Sequence, residues 1–395
     1  MKKIVIGGGG IAGLTARYFL SKKYPQAEIV LYEKSGRLGG VIETLQTPYF
    51  FEKGPRTFKA SRCPTLLNLI RDLGLEGEII RSNPAASKRY LLKGGKLSSL
   101  NFLALSMTLS LLKEWKQPVK EGDETIQAFA TRRLGADVTK NLIDPLTLGI
   151  FGGKIEELSI SACFPTLKAM ESEYGSLTKA FIKKKKGKKA KGLFTLKRGM
   201  ESLITALKEK GRGEIFLNTP MPLLEGDLNV LAMPPAEAQK IFKEEQSTQF
   251  FQEIGSATLT VVNVAFPPGA LKQEGFGYLI PSSEKEDVLG VVFDSSIFPE
   301  QSMAGETRLS IMLRKGGIKE ALAALEAHLK ITATPLFTAI HHYPKAIPQF
   351  HVGHLERLTQ FNAACREAYP HIRCIGNYLQ GVSLEATVLS ATQLP

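Results

Sequence analysis

The stretch Lys3-Ile4-Val5-Ile6-Gly7-Gly8-Gly9-Gly10-Ile11-Ala12-Gly13-Leu14 decides the fold. Its apolar run predicts a strand, Gly10 to Lys22 a helix, and Glu28 to Tyr32 a second strand that delivers Glu33 twenty residues after Gly13. In such a unit Gly8 permits the tight turn, Gly10 lets a pyrophosphate approach the backbone, and Gly13 lets helix pack on strand. Gly9, Ile11 and Ala12 complete the loop and the first helical turn, whose free N–H groups meet the phosphates. Glu33 then accepts the ribose hydroxyl. A glycine fingerprint alone is weak, but strand, helix and acid at the required spacing point to a dinucleotide, with NAD and FAD both open at this stage.

The chain has 395 residues, 43% of them hydrophobic, so two or three domains are expected. Its formal charge is +13. Much of the excess lies in Lys183-Lys184-Lys185-Lys186-Gly187-Lys188-Lys189-Ala190-Lys191, read as a solvated loop with an anionic membrane surface as the functional alternative. No aromatics interleave with it, which argues against nucleic acid. Cys63, Cys163, Cys365 and Cys374 lack metal-ligand spacing, no metal is expected, and a reducing compartment is the simpler reading. Because the glycine turn follows Met1 so closely, no leader segment is expected, and a cytoplasmic location follows, with peripheral attachment to a membrane as its variant. The apolar stretch Leu100 to Leu112 is too short to span a bilayer.

Helical periodicity dominates from Leu103 to Glu171. Strand patterns at Ala257 to Phe266, Gly277 to Ile280, Val288 to Asp294 and Arg308 to Leu313 follow one another with turns between, which predicts an antiparallel sheet. The expected class is α/β: a Rossmann-like dinucleotide domain built discontinuously from 1–86, 193–255 and 366–395, a helical insert over 87–192, and an α+β substrate domain over 256–365. No second glycine fingerprint follows a later strand, so electrons are expected to come straight from the substrate.

Glu33-Lys34-Ser35-Gly36-Arg37-Leu38-Gly39-Gly40 resembles the turn of the FAD enzymes that include amine oxidases, phytoene desaturases and protoporphyrinogen oxidases. Phe51-Glu52-Lys53-Gly54-Pro55-Arg56-Thr57 is similar to the protoporphyrinogen oxidase motif beneath the flavin. Gly275 to Ser283, with Val288 to Ser295 and Phe298 to Gln301, resembles that family's substrate-domain hairpin. Ile347 to Phe350 with Gly353-His354, and Gly376 to Ser383, are similar to its C-terminal signature. The resemblance runs from Met1 to about Leu389. It implies non-covalent FAD held by Gly8, Gly9, Gly10, Ile11, Ala12, Gly13, Glu33, Lys34, Arg37, Gly39, Gly40, Val41, Gly54, Pro55, Arg56, Thr57, Met221, Gly376, Gly381, Val382 and Ser383. If the loop at Gly381 opens the last helix, its N–H groups and positive dipole end can face the flavin pyrimidine ring, while Ser383 can serve only as a helix cap. Arg56 is read either as charge near flavin or substrate, or as a structural partner of an interface carboxylate.

The reaction implied is the oxidation of protoporphyrinogen IX in haem biosynthesis: six electrons leave in three hydride transfers, and dioxygen is reduced to hydrogen peroxide. Coproporphyrinogen III is the alternative substrate, and a flavin-free escort protein the alternative of another class. The next enzyme of the haem pathway is a partner the resemblance suggests. It places Gly149, Phe276, Leu279 and Met312 around the macrocycle, with Arg56 available to it. The arginine that many members carry after the Gly94-Gly95-Lys96-Leu97 turn is missing, which leaves Lys93, Lys96 or Arg56 to hold a carboxylate. No acid/base pair stands out; His341, His342, His351 and His354 are read as surface or structural. The segment Pro220 to Asp227 is compressed, which puts adenine-side contacts in question.

Overall fold

A computed structural model of the chain describes residues 2–100, 104–183, 192–222 and 224–395; most of the lysine run, 184–191, lies outside them, as do 101–103 of the Leu100 to Leu112 stretch and 223 of the compressed segment. A five-stranded parallel sheet contains, in spatial order, Glu214–Phe216, Glu28–Tyr32, Lys3–Gly7, Leu228–Leu231 and Ile372–Cys374. Its central strand is buried because helix Ile11–Lys23 and its neighbours cover it, so the run reads apolar throughout. Helix Leu384–Thr392 packs on Ile11–Lys23 and on Pro64–Asp72. The last of these buries Leu66, Leu67, Leu69 and Ile70 as its periodicity predicts, and starts on Pro64, which gives up only an N–H that the first turn leaves free anyway.

A seven-stranded mixed sheet has the order Phe337–Gln349, Gly255–Phe266, Thr307–Leu313, Val288–Val292, Gly277–Leu279, Tyr90–Lys93 and Lys96–Ser99. One face packs against helix Ile318–Leu329 through Val262, Val264, Ile311, Val291 and Tyr278, whose hydroxyl lies 2.9 Å from His328 Nδ1. The hairpin Tyr90 to Ser99 falls inside the stretch expected to be helical, yet Tyr90 and Leu91 pair with Tyr278 and Leu279 and so extend this sheet. The Gly94-Gly95 pair between two short runs is the turn signal that marks it.

The helical bundle comprises Ala104–Glu114, Ile126–Val138, Asp144–Phe151, Pro165–Tyr174 and Leu177–Lys183, together with the short helix Ile160–Cys163. Its core holds a buried ion network as well as apolar side chains: Arg133 donates to Glu114 at 3.0 Å and to Glu171 at 2.8 Å, all three being fully buried. Removing one member of such a network strands the other charges and costs about 3–5 kcal/mol. Among the described residues no helix is long and apolar enough to cross a membrane.

Candidate functional site

The glycine turn closes as its residue types require. Gly8 sits at φ +110°, and a Cβ on it would stand 2.3 Å from the Ala232 carbonyl oxygen; one on Gly13 would stand 1.9 Å from that of Gly8. At Gly10 the situation reverses, since a Cβ there would meet nothing within 4 Å. Gly10 is also the N-cap of Ile11–Lys23, with no side-chain cap and no acid in the first turn. An uncapped helix N-terminus beside open space is the geometry an anionic phosphate needs. Glu33 Oε2 accepts from the Gly9 N–H at 2.7 Å, and Oε1 accepts from Ser35 N and Oγ, so the carboxylate is fixed at the end of its strand.

The second glycine turn meets the first. Gly39 N donates to Gly9 O at 2.8 Å, and Gly40 approaches the Gly10 Cα. Arg37 folds over this turn, donating to the Leu38 and Gly40 carbonyls and pairing with Glu43 at 2.9 Å. Lys34 pairs with Glu237, Val41 is exposed, and Met221 lies against Gly7. Gly54 packs on the Val41 carbonyl, where a Cβ would come within 2.2 Å, which ties the turn to Pro55, Arg56 and Thr57. Thr57 Oγ1 is buried without a partner among the described residues. The chain therefore fits a dinucleotide: N–H donors and open space at Gly10, a carboxylate at Glu33, and backbone packed tightly everywhere else.

Arg56 Nη1 lies 3.2 Å from Asp294 Oδ1, so its visible partner is the interface carboxylate, one of the two roles expected of it. Just before it, Glu52 is buried between the Met200 N–H and the Thr44 hydroxyl, and burial pushes its carboxyl up to about 7. Ser383 caps the last helix by accepting from Ala386 N at 3.1 Å, while Val382 packs against the bundle core. Gly376 approaches the Tyr378 ring. Glu385 accepts from Thr65 N and Leu66 N and so caps helix Pro64–Asp72 instead of its own.

Opposite helix Ile318–Leu329, the seven-stranded sheet presents a row of directly paired residues: Leu279, Gly290, Met312, Val261 and His341. Directly opposed residues share a face, so five strands deliver these side chains to one surface. Gly290 leaves room for Leu279, whose Cδ2 would lie 2.6 Å from a Cβ on Gly149. Helix Asp144–Phe151 is held there because Asp144 Oδ2 accepts from Ser282 N at 2.8 Å. Phe276, just before strand Gly277–Leu279, lies under Arg89, whose guanidinium carbon is 4.2 Å from the ring centroid.

Sequence reasoning did not single out Arg89, which stands one residue before the first hairpin strand. Lys93 and Lys96 face each other across the hairpin turn, where the Gly94 N–H donates to Glu284. Among the histidines, His354 is a core residue, its Nε2 2.7 Å from Leu379 O and its ring stacked on Phe350. His342 Nδ1 lies 3.1 Å from the Thr260 hydroxyl. His341 is half-buried, with its Nε2 buried and without a partner among the described residues, and burial, Lys53 and Arg56 lower its pKa against the pull of Glu43.

Fold and cradle together define a dinucleotide-binding protein. The model of the family described as flavin containing amine oxidoreductase matches residues 11–392, and the chain belongs to that family. Its cofactor is FAD. It is 31% identical to the protoporphyrinogen oxidase of Bos taurus over 99% of this chain and 97% of that one. It is 27% identical to the coproporphyrinogen III oxidase of Staphylococcus aureus, over 97% and 96% respectively. A solved protein from Exiguobacterium, provisionally named a protoporphyrinogen oxidase, superposes with TM-score 0.85 at 24% identity over 99% of this chain and 97% of that chain, which shows the shared fold.

Proposed function

We propose that this chain oxidises a porphyrinogen, protoporphyrinogen IX first, removing six electrons with dioxygen as final acceptor and three hydrogen peroxides as by-product. The bound FAD supplies the hydride acceptor for each two-electron step. The residues expected to hold it are those of the two glycine turns, Glu33, the Gly54 to Thr57 segment and the Gly381 to Ser383 loop, within a unit comprising 1–86, 193–255 and 366–395. The observation that carries the reading is the apolar row Leu279–Gly290–Met312–Val261, in which Leu279 lies over Gly290 and meets Gly149. A flat apolar floor suits a macrocycle, and its carboxylate arms need cations at the rim. Arg89, held over Phe276, is the rim cation best placed for that task in place of the missing arginine after Gly94-Gly95-Lys96-Leu97.

The macrocycle's own pyrrole nitrogens release the protons to water or neighbouring groups, so the chain's part is to bind and orient. The test is anaerobic mixing of the flavin-loaded protein with protoporphyrinogen IX. Loss of the flavin absorption supports the reading, and an unchanged spectrum sinks it. The Staphylococcus relative favours a second substrate, coproporphyrinogen III. Comparing rates on both decides, and a tenfold preference for the four-acid substrate overturns the first choice. Peripheral contact with an anionic membrane is supported by Leu112, Trp115 and Ile182, exposed together on the bundle beside Lys116 and Lys179. Sedimentation with anionic but not neutral vesicles is the expected outcome.

A further inference from the structure

Helix Asp144–Phe151 packs on strands Gly277–Leu279, Val288–Val292 and Phe337–Gln349 of the seven-stranded sheet. Its residues divide between two faces. Thr147, Leu148 and Phe151 are buried, whereas Leu146, Gly149 and Ile150, spaced i, i+3 and i+4, are exposed on one side. That side borders the half-buried Leu279, since a Cβ on Gly149 would stand 2.6 Å from Leu279 Cδ2. The helix is therefore a wall open to solvent, and it meets the apolar row without slack.

Each end of this wall is clamped to the sheet by a hydrogen bond. At its start the buried Asp144 Oδ2 accepts from Ser282 N at 2.8 Å, just beyond strand Gly277–Leu279. At its end Gln349 Nε2, on the last residue of the opposite edge strand, donates to Phe151 O at 2.8 Å. The flanking segments are of the kind that yields: Thr139–Ile143 before the helix is a π-helical turn, and Gly152 after it is left-handed at φ +64°. A helix so flanked tilts as a unit when a clamp is lost. Loss of the first clamp also supplies the drive, because a buried carboxylate deprived of its donor gains by reaching water. Burial already pushes the Asp144 carboxyl above its usual range.

We propose that Asp144, Ser282 and Gln349 are positioning residues whose clamps fix the width of the substrate site and so disfavour the bulkier four-acid ring; this rests on the porphyrinogen reading above. The two porphyrinogens share the macrocycle and differ at its rim, where the four-acid ring carries two carboxylate arms in place of two vinyl groups. Bulk at the rim is what a wall meets. Held against Leu279, the helix fits the short apolar substituents, and its exposed Leu146 and Ile150 offer a carboxylate no donor. Tilted away, it loses contact with the vinyl groups and leaves room and water for the longer arms. The clamp residues act through the helix and need not touch the macrocycle.

The experiment measures kcat/KM for protoporphyrinogen IX and coproporphyrinogen III in the FAD-loaded wild type, Ser282→Pro, Ser282→Ala and Gln349→Leu. Ser282 opens a short helical turn after Pro281, which is extended at φ −62° and ψ 149°, so proline fits there and removes the N–H with the hydroxyl. Ser282→Ala removes the hydroxyl alone and is the reference. Ser282→Pro is expected to lower the ratio of the first substrate to the second by about fivefold or more, chiefly through the KM for protoporphyrinogen IX, at an unchanged flavin-to-protein ratio. Gln349→Leu should lower it the same way by less. A smaller fall in Ser282→Pro, a rise, or equal losses on both substrates overturns the proposal, since a merely structural contact would weaken both alike. If Ser282→Pro does not fold, Gln349→Leu is judged against wild type by the same outcomes, with about twofold as its threshold. A wild type that oxidises neither porphyrinogen refutes the functional reading and the proposal with it, whereas a wild type that turns over with the ratio unmoved in the variants refutes only the role of the clamps.

Discussion

The cradle at Gly8–Gly13 and the sheet face at Leu279–His341 both bring distant groups together, but by opposite means. The cradle is backbone: glycines at which an added Cβ would come within 1.9 to 2.3 Å of a carbonyl oxygen, completed within forty residues by Glu33 and Gly39-Gly40. The sheet face is side chain, one residue from each of five strands between 261 and 341, aligned only by pairing register. A slip of one residue would turn each of those side chains to the helix-covered face. Cofactor grip and substrate recognition should therefore fail separately.

The largest expected effect breaks the cradle alone. Gly13→Val drives a Cβ into the Gly8 carbonyl, and we expect a stability loss of about 3 kcal/mol or more together with loss of FAD, read from melting temperature and flavin-to-protein ratio after gel filtration. Glu52, at the junction of the two regions, comes next. Its carboxyl is raised by burial to about 7 in the folded state, so the folded protein holds the proton more tightly than the unfolded chain. Its contribution is complete below about pH 4.5 and falls by about 3 kcal/mol as pH rises to about 7. Glu52→Gln keeps both contacts without the charge, and unfolding measured across that window should lose this component of the slope. A pH dependence identical to wild type would refute the assignment.

Smaller effects should sort by region. Glu33→Gln removes the charge that holds Gly9 and Ser35, and FAD titration should show binding weakened about 10- to 100-fold with little change in porphyrinogen KM on the saturated enzyme. Gly149→Ala does the reverse. Its Cβ presses on the movable end of Leu279, so KM should rise about 5- to 30-fold while the flavin spectrum stays that of wild type. A Gly149→Ala protein that loses its flavin would show that the two regions are not independent.

The same contrast explains what the sequence made legible. Gly8, Gly10, Gly13 and Glu33 were readable because each residue type answers a local demand, and Ser383 was readable as the start of the last helix because N-caps are local too. Strand Phe337–Gln349 was not: it is a half-exposed edge with Pro344, Pro348 and a bulge opposite Ala257 and Leu259, so it lacks clean alternation. The position of His341 was not legible for the same reason, since only register against Val261 sets the face it occupies. The pairing of Glu385 with the start of a helix 320 residues earlier and the buried Arg133 network have no local signature. Nor has the stacking of Arg89 on Phe276.

The central claim is that electrons pass directly from a porphyrinogen, bound on the sheet face, to FAD held by the cradle. Stopped-flow mixing of the flavin-loaded protein with protoporphyrinogen IX without oxygen tests it most directly. The account predicts that the oxidised flavin absorption disappears as porphyrin fluorescence rises, and returns when oxygen is admitted with hydrogen peroxide released. A flavin spectrum that stays oxidised with either porphyrinogen would contradict it.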